Sequence, residues 1–189
     1  MSSLLWILLA LAVLVGGWIV VAYNRLVAAR QRSREGWSGI DVQLKRRSNL
    51  VPNLVATVKG YASHEAGVLK DVTESRAHVQ ASEGAGAGVG ARQQAEGELS
   101  SALGRLFAVA ENYPDLKADS SFLELQRNLA ALEDQIQMAR RYYNGSVREL
   151  NTRIESFPSN LVARRFGFQP AEYYEVEHAG DRLLPKVAF

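Results

Sequence analysis

The sequence predicts an all-α protein: a single N-terminal transmembrane helix followed by a long antiparallel helical bundle. Three observations carry this prediction. Leu4 to Tyr23 is a run of 20 residues without a charged side chain. Beyond it, apolar residues recur at spacings of three and four, and no stretch alternates with period two for long enough to propose a sheet. Pro114, Pro158 and a glycine-rich segment punctuate these patterns, leaving helices long enough to pair with one another.

As a helix, the apolar run is roughly 30 Å long, the thickness of a bilayer's hydrocarbon core. Trp6 near one end and Trp18 and Tyr23 near the other match the aromatic belts of the two interfaces. A cleaved signal peptide would have a basic start and a small-x-small site after a shorter apolar core. Here Met1, Ser2 and Ser3 have no charged side chain, and the pair Ala10 and Ala12 lies deep inside the run. A retained anchor, residues 1–23, is therefore expected. Ala12, Gly16 and Gly17 form a small-residue patch, a candidate surface for self-association of anchors. With no cysteine, the chain has no site for a lipidated-cysteine anchor, and its redox compartment is open.

Charge is distributed unevenly. From Arg25 to Arg47 there are seven basic residues and two acids, a net of +5; from Ser48 onward 15 basic face 18 acidic residues, a net of −3. A basic flank after a transmembrane helix favours the cytoplasmic side. The expected topology is thus single-pass, with the body cytoplasmic. Arg25, Arg30, Arg32 and Arg34 are the candidate contacts to anionic lipid head groups, each worth about 1 kcal/mol near the surface.

About 165 residues remain after the anchor, enough for a compact domain. Trp37, Ile40, Leu44 and Val51 carry the first helix well past the membrane. Pro52 is expected to interrupt it or to start a new helix, with Asn49 as the cap. Leu54, Val58, Tyr61, Val68, Leu69 and Val72 form a second stripe reaching Val79. Glu83 to Gly90, EGAGAGVG, reads as a loop because its alternate glycines disfavour helix. It lacks the GK[ST] and the preceding strand of a phosphate-binding loop. Leu99, Leu103, Leu106, Ala110 and Tyr113 form a seam that stops at Pro114, and Asp115 to Ser121 reads as a turn. From Phe122 the longest stripe runs through Leu125, Leu129, Leu132, Ile136, Ala139, Tyr143, Leu150, Ile154 and Phe157, roughly 50 Å as a helix. Ser146 stands where an apolar residue would continue it, and Pro158 ends it. From Phe166 a short helix or extended segment is expected to pack on the bundle and then fray.

Three strings within these elements form a recognisable set. YNRLVAARQRSREGWSGIDVQLKRRSNLVPNLVATVKGYASHE from Tyr23 to Glu65, ENYPDLKADSSFLELQRNLAALEDQIQMARRYYN, and FPSNLVARRFGF together resemble the LemA family of bacterial membrane proteins. The resemblance implies a LemA-like helical bundle at 24–168 and a C-terminal tail at 169–189. It also implies a bacterial inner-membrane location, with a periplasmic body as the alternative topology, a broad bacterial distribution and no established enzymatic activity. Family members are associated with HtpX-type membrane metalloproteases and with envelope stress, and a related branch occurs in magnetosome membranes. Asn49 stands where the family usually has an acid, and Gly36 and Gly39 flank Trp37, where a helix bend is expected.

The catalytic inventory is poor. The histidines are His64, His78 and His178. His64-Glu65 opens like a zincin motif, but Val68 stands where the second histidine would be. No GxSxG elbow occurs. Lys45-Arg46-Arg47 could meet nucleic-acid phosphates, yet Arg47 falls on the apolar stripe, where snorkelling or pairing with a carboxylate at the bundle seam is the expected role. In Tyr142-Tyr143 and Tyr173-Tyr174, one ring of each pair is expected in the core and the other at the rim. Asn144-Gly145-Ser146 is a sequon only formally, since it falls within a helix.

The function expected is a non-enzymatic, membrane-anchored helical scaffold or adaptor that self-assembles and acts in envelope organisation or stress response. No catalytic residue, cofactor or metal is expected. The partners are membrane lipid and further copies of the chain, with a membrane metalloprotease as a further candidate and no nucleic acid. The alternative is an accessory subunit of an HtpX-type protease, or a hydrolase whose site a partner completes.

Overall fold

The computed structural model describes residues 2–83 and 88–174. Among them are six helices and no strand: α1 Ser2–Tyr61, α2 Ala66–Ala81, α3 Val89–Ala110, α4 Pro114–Ala118, α5 Ser120–Glu155 and α6 Ser159–Arg165. The all-α expectation and the long N-terminal apolar helix hold. The chain divides into two compact units, one formed by Met1–Ile40 with Met138–Tyr173 and the other built on Asp41–Gln137.

In the first unit α1 and the second half of α5 run antiparallel, as the pairs Trp37 with Tyr143 and Arg32 with Glu149 require. The buried residues of α1 here are Ala22, Leu26, Ala29, Ser33, Gly36 and Ile40, spaced alternately by four and three. The seam therefore passes through Gly36 rather than the expected Trp37, which is half-buried beside it. The reason is steric. A Cβ on Gly36 would stand 3.0 Å from the Cα of Tyr143 and 3.4 Å from Ser146 Oγ, so the two helices approach closely only because both positions are small. Ser146 interrupts the apolar stripe of α5 for this purpose, and its hydroxyl is satisfied by donating to Tyr143 O at 2.7 Å. Leu150 and Ile154 then pack with Val162, Ala163 and Phe168 against Ala22, Leu26 and Ala29. Gly167, at φ +69°, takes the left-handed conformation that ends α6. The segment after it is pinned to α5: Asn151 donates to Ala171 O at 2.9 Å and accepts from Ala171 N at 2.8 Å, while Tyr143 Oη donates to Glu172 O. Of the short helix or extended segment expected to pack from Phe166, the extended form is found. The part of the tail from Glu175 onward lies outside the described residues.

The second unit packs the later part of α1, α2, α3 and the first half of α5 around a core that includes Val51, Leu54, Val58, Leu69, Val72, Leu99, Leu103 and Leu106. Two expectations fail here for physical reasons. Pro52 neither breaks α1 nor starts a helix, and Asn49 is an exposed residue inside α1 rather than a cap. A proline inside a helix leaves the carbonyl four residues back without its partner. That carbonyl belongs to Ser48, and Arg76 Nε of α2 donates to it at 3.0 Å. The apparent single stripe from Leu54 to Val79 is also divided, because the chain turns at residues 62–65. Reversal lets Leu69, Val72 and Val79 share one core with Leu54 and Val58, which a straight helix would carry apart.

Helix α3 begins at Val89, so Val89 and Gly90 of the expected loop are helical, and residues 84–87 lie outside the described residues. The expected turn at Asp115–Ser121 is instead mostly helix. Pro114 opens α4 at its first turn, where a missing N–H costs nothing. Asp119 then caps α5 by accepting from Phe122 N at 2.9 Å, which moves the start of α5 back to Ser120.

Candidate functional site

The first candidate region is the anchor and its basic flank. The apolar segment of α1 has mean hydropathy 2.8 and none of it is buried inside the molecule, so it is long and apolar enough to cross a membrane. Ala12, Gly16 and Gly17 are exposed, and nothing lies within 4 Å of a Cβ placed at either glycine.

The four arginines of the flank do not form one uniform collar. Arg25 and Arg34 are exposed. Arg32 pairs with Glu149 at 2.5 Å, and Arg30 is half-buried with its guanidinium 4.9 Å from the centroid of the Phe168 ring. Arg153 also donates to Glu149, at 2.8 Å. These bonds, with Arg153 contributing most and Arg32 adding to it, hold the Glu149 carboxyl below its ordinary range. Tyr23 lies 4.9 Å from the ring of Phe166 and 5.8 Å from that of Phe168. The end of the apolar run is thus flanked on one side by aromatic rings from the end of α6 and the segment after it.

The second candidate region is a buried charge cluster in the second unit. Arg47, Arg92 and Glu96 retain 3%, 2% and 1% of their surface. Glu96 uses one oxygen for each cation, with Arg47 at 2.6 Å and Arg92 at 3.2 Å. The two cations are balanced further out. Arg47 reaches Glu133 at 3.0 Å and donates to Ser100 Oγ, while Arg92 reaches Asp41 at 3.3 Å and Glu83 at 3.5 Å and donates to Val79 O. The cluster joins α1, α2, α3 and α5 at one level. Both guanidinium groups face carboxylates or carbonyls of their own chain and are buried, so the cluster presents no exposed cationic surface to an external anion.

Arg47 pairs with carboxylates at the seam, as its position on the stripe implied. Arg92 and Glu96 were missed, although a signal existed: the seam of Leu99, Leu103 and Leu106, continued backward by three and seven residues, lands on both. Lys45 and Arg46 are exposed while Arg47 is buried, so the triplet does not present a single phosphate-facing surface.

The remaining chemistry-bearing residues are scattered. His64 is exposed in the turn after α1. His78 Nδ1 contacts Glu98 at 3.0 Å, a hydrogen bond that lowers the Glu98 pKa, and both side chains are open to solvent. His178 lies outside the described residues. No group of three or more His, Cys, Asp or Glu among the described residues is arranged to hold a metal ion. Tyr142 is exposed and Tyr143 buried, Tyr173 exposed and Tyr174 buried, the division expected of each pair. The Asn144-Gly145-Ser146 sequon lies within α5.

Comparison with known proteins agrees with this architecture. Magnetosome protein MamQ 2 of Paramagnetospirillum magneticum is 28% identical over 185 aligned residues, covering 86% of this chain and 68% of that protein. Magnetosome protein MamQ of Magnetospirillum gryphiswaldense is 26% identical with the same coverage. Protein LemA of Metamycoplasma hominis is 25% identical over 160 residues, covering 82% of this chain and 72% of that protein. None of these names states an enzymatic activity. The LemA family profile matches residues 36–189, most of the chain, and the protein belongs to the LemA family.

Proposed function

We propose that the protein is a non-enzymatic, membrane-anchored helical scaffold or adaptor of the bacterial inner membrane, self-associating through its anchor and acting in envelope organisation or stress response. One observation carries the reading. The most apolar window of the chain is unburied, while the buried charged residues Arg47, Arg92 and Glu96 are spent on internal pairs rather than gathered around a reactive group. A shared membrane plane raises the effective concentration of identical copies and favours closed assembly. Relatives whose names give a location or a family and no reaction support the non-enzymatic part. The basic flank supports a cytoplasmic body.

The test is the mass of the full chain in several lipid-like environments, by mass photometry, beside the Gly16→Leu variant. The expected result is an oligomer that the substitution weakens. A persistent monomer would refute self-association. Topology is tested separately in this cysteine-free chain: Ser82→Cys should resist an impermeant thiol reagent in intact cells, and labelling before lysis would reverse the orientation.

A further inference from the structure

The turn between α5 and α6 sits at an unexpected depth along the anchor. In the first unit a cleft of about 390 Å³ is lined by Gly17, Val21 and Arg25 on one side and by Arg153, Pro158 and Ser159 on the other. Gly17 lies six residues before Tyr23, which is ~9 Å along a helix. A head-group layer is about 5–8 Å thick on each side of a bilayer. A turn that shares a cleft with Gly17 and Val21 therefore reaches the level where head groups meet acyl chains.

The surface of this turn suits that level. Phe157 is 79% exposed, and Leu161 and Phe166 are also exposed, although α6 buries Val162 and Ala163 on its other side. In water these would be three large apolar side chains left open within ten residues. Several backbone groups of the turn are paired from within. Ser159 Oγ lies 2.7 Å from Arg153 O and 2.9 Å from Ser156 O and shares its one proton between them, Asn160 N donates to Ser156 O, and Leu161 N donates to Pro158 O. Entry into a layer poor in water thus leaves these groups paired. Arg25, Arg164 and Arg165 are exposed around it, and with Arg153 they outnumber Glu149 and Glu155.

We propose that residues 156–166 form a second membrane contact, in which Phe157 and Leu161 seat in the interfacial layer of an anionic bilayer and Arg25, Arg164 and Arg165 face lipid phosphates. The bilayer is the occupant because the exposed apolar residues lie beside the anchor's end and the surrounding charge is basic. The proposal rests on the reading that Leu4 to Tyr23 spans the membrane.

The experiment uses the full chain, reconstituted in vesicles of phosphatidylcholine with phosphatidylglycerol. An environment-sensitive fluorophore is attached through Leu9→Cys in the anchor, Phe157→Cys in the turn or the exposed Asn128→Cys in the second unit, and is challenged with lipids spin-labelled at head group or mid-chain. Quenching of the Phe157→Cys probe by head-group labels, with no quenching at Asn128→Cys, is expected. It should weaken when Arg164 and Arg165 become Gln or when phosphatidylglycerol is omitted. Deep quenching at Leu9→Cys with none at Phe157→Cys would overturn the second contact while leaving the anchor intact. Absence of quenching at Leu9→Cys would overturn both readings. A shielded Phe157→Cys probe indifferent to labelled lipid would identify a second copy of the chain as the occupant and refute the proposal. Equal quenching without phosphatidylglycerol would remove its anionic preference.

Discussion

The two units solve the same packing problem with opposite materials. In the first, α1 and α5 meet through Gly36 and Ser146, residues small enough to bring backbones together. In the second, the helices meet through an apolar core interrupted at one level by Arg47, Arg92 and Glu96, three of the most costly residues to bury. Close approach gains dispersion contacts and tolerates little added volume. A buried ion cluster gains little net stability over apolar residues, but each member is indispensable to the others once it is there. The first unit should therefore be sensitive to steric addition and the second to charge removal.

The largest effect tests the second half of that contrast. Glu96→Ala leaves two buried guanidinium groups without their shared carboxylate and should destabilise the second unit by about 3–5 kcal/mol. Chemical denaturation followed by hydrogen exchange should show the loss in α2 and α3. A cost below that of an ordinary surface change would mean that the rim carboxylates Asp41, Glu83 and Glu133 neutralise the arginines unaided.

Next comes volume in the first unit. Gly36→Val forces a branched side chain where even a Cβ meets Tyr143 Cα at 3.0 Å, and the expected cost is about 1–3 kcal/mol. Gly39→Val, three residues on and with nothing within 4 Å of its Cβ, is the control and should be close to neutral, since valine is a better helix former than glycine. Equal effects at the two positions would remove the close-approach argument.

A smaller effect is expected from Asn151→Ala. It removes both bonds to Ala171 and should cost about 1–2 kcal/mol. The accompanying sign should be faster proteolysis after Phe168, with the rest of the first unit unchanged.

The smallest effects are in pH dependence, one reporter in each unit. Asp119 in the second unit has a lowered pKa, first because Phe122 N donates to it and then because Tyr61 Oη does. Glu149 in the first is lowered chiefly by Arg153. A carboxyl whose folded pKa lies below its unfolded one contributes fully above the unfolded value and loses that contribution as pH falls through the folded value. Asp119→Asn and Glu149→Gln should each flatten the acid limb of the stability curve, and only slightly, because both carboxylates are near solvent. A steeper acid limb in either variant would contradict the assigned direction.

The sequence by itself determined the long apolar N-terminal helix, the helical class, the stop before Pro158 and the place of Arg47 at a seam. Each of these follows from local facts: a run without charge, a period of three and four, a missing N–H, a residue on a stripe. Only the tertiary structure decided the fate of Pro52, because the Ser48 carbonyl it frees is answered by Arg76 from another helix. The same holds for Glu96 and Arg92, whose burial depends on carboxylates and carbonyls brought from α1, α2 and α5. Trp37 looked like the seam residue because it is large and apolar. Gly36 is the seam residue because contact between helices is set by how near their backbones can come, and that distance depends on the small residue facing it from α5. Periodicity records which face of a helix is buried, while pairing across helices depends on a partner that no single stretch of sequence contains.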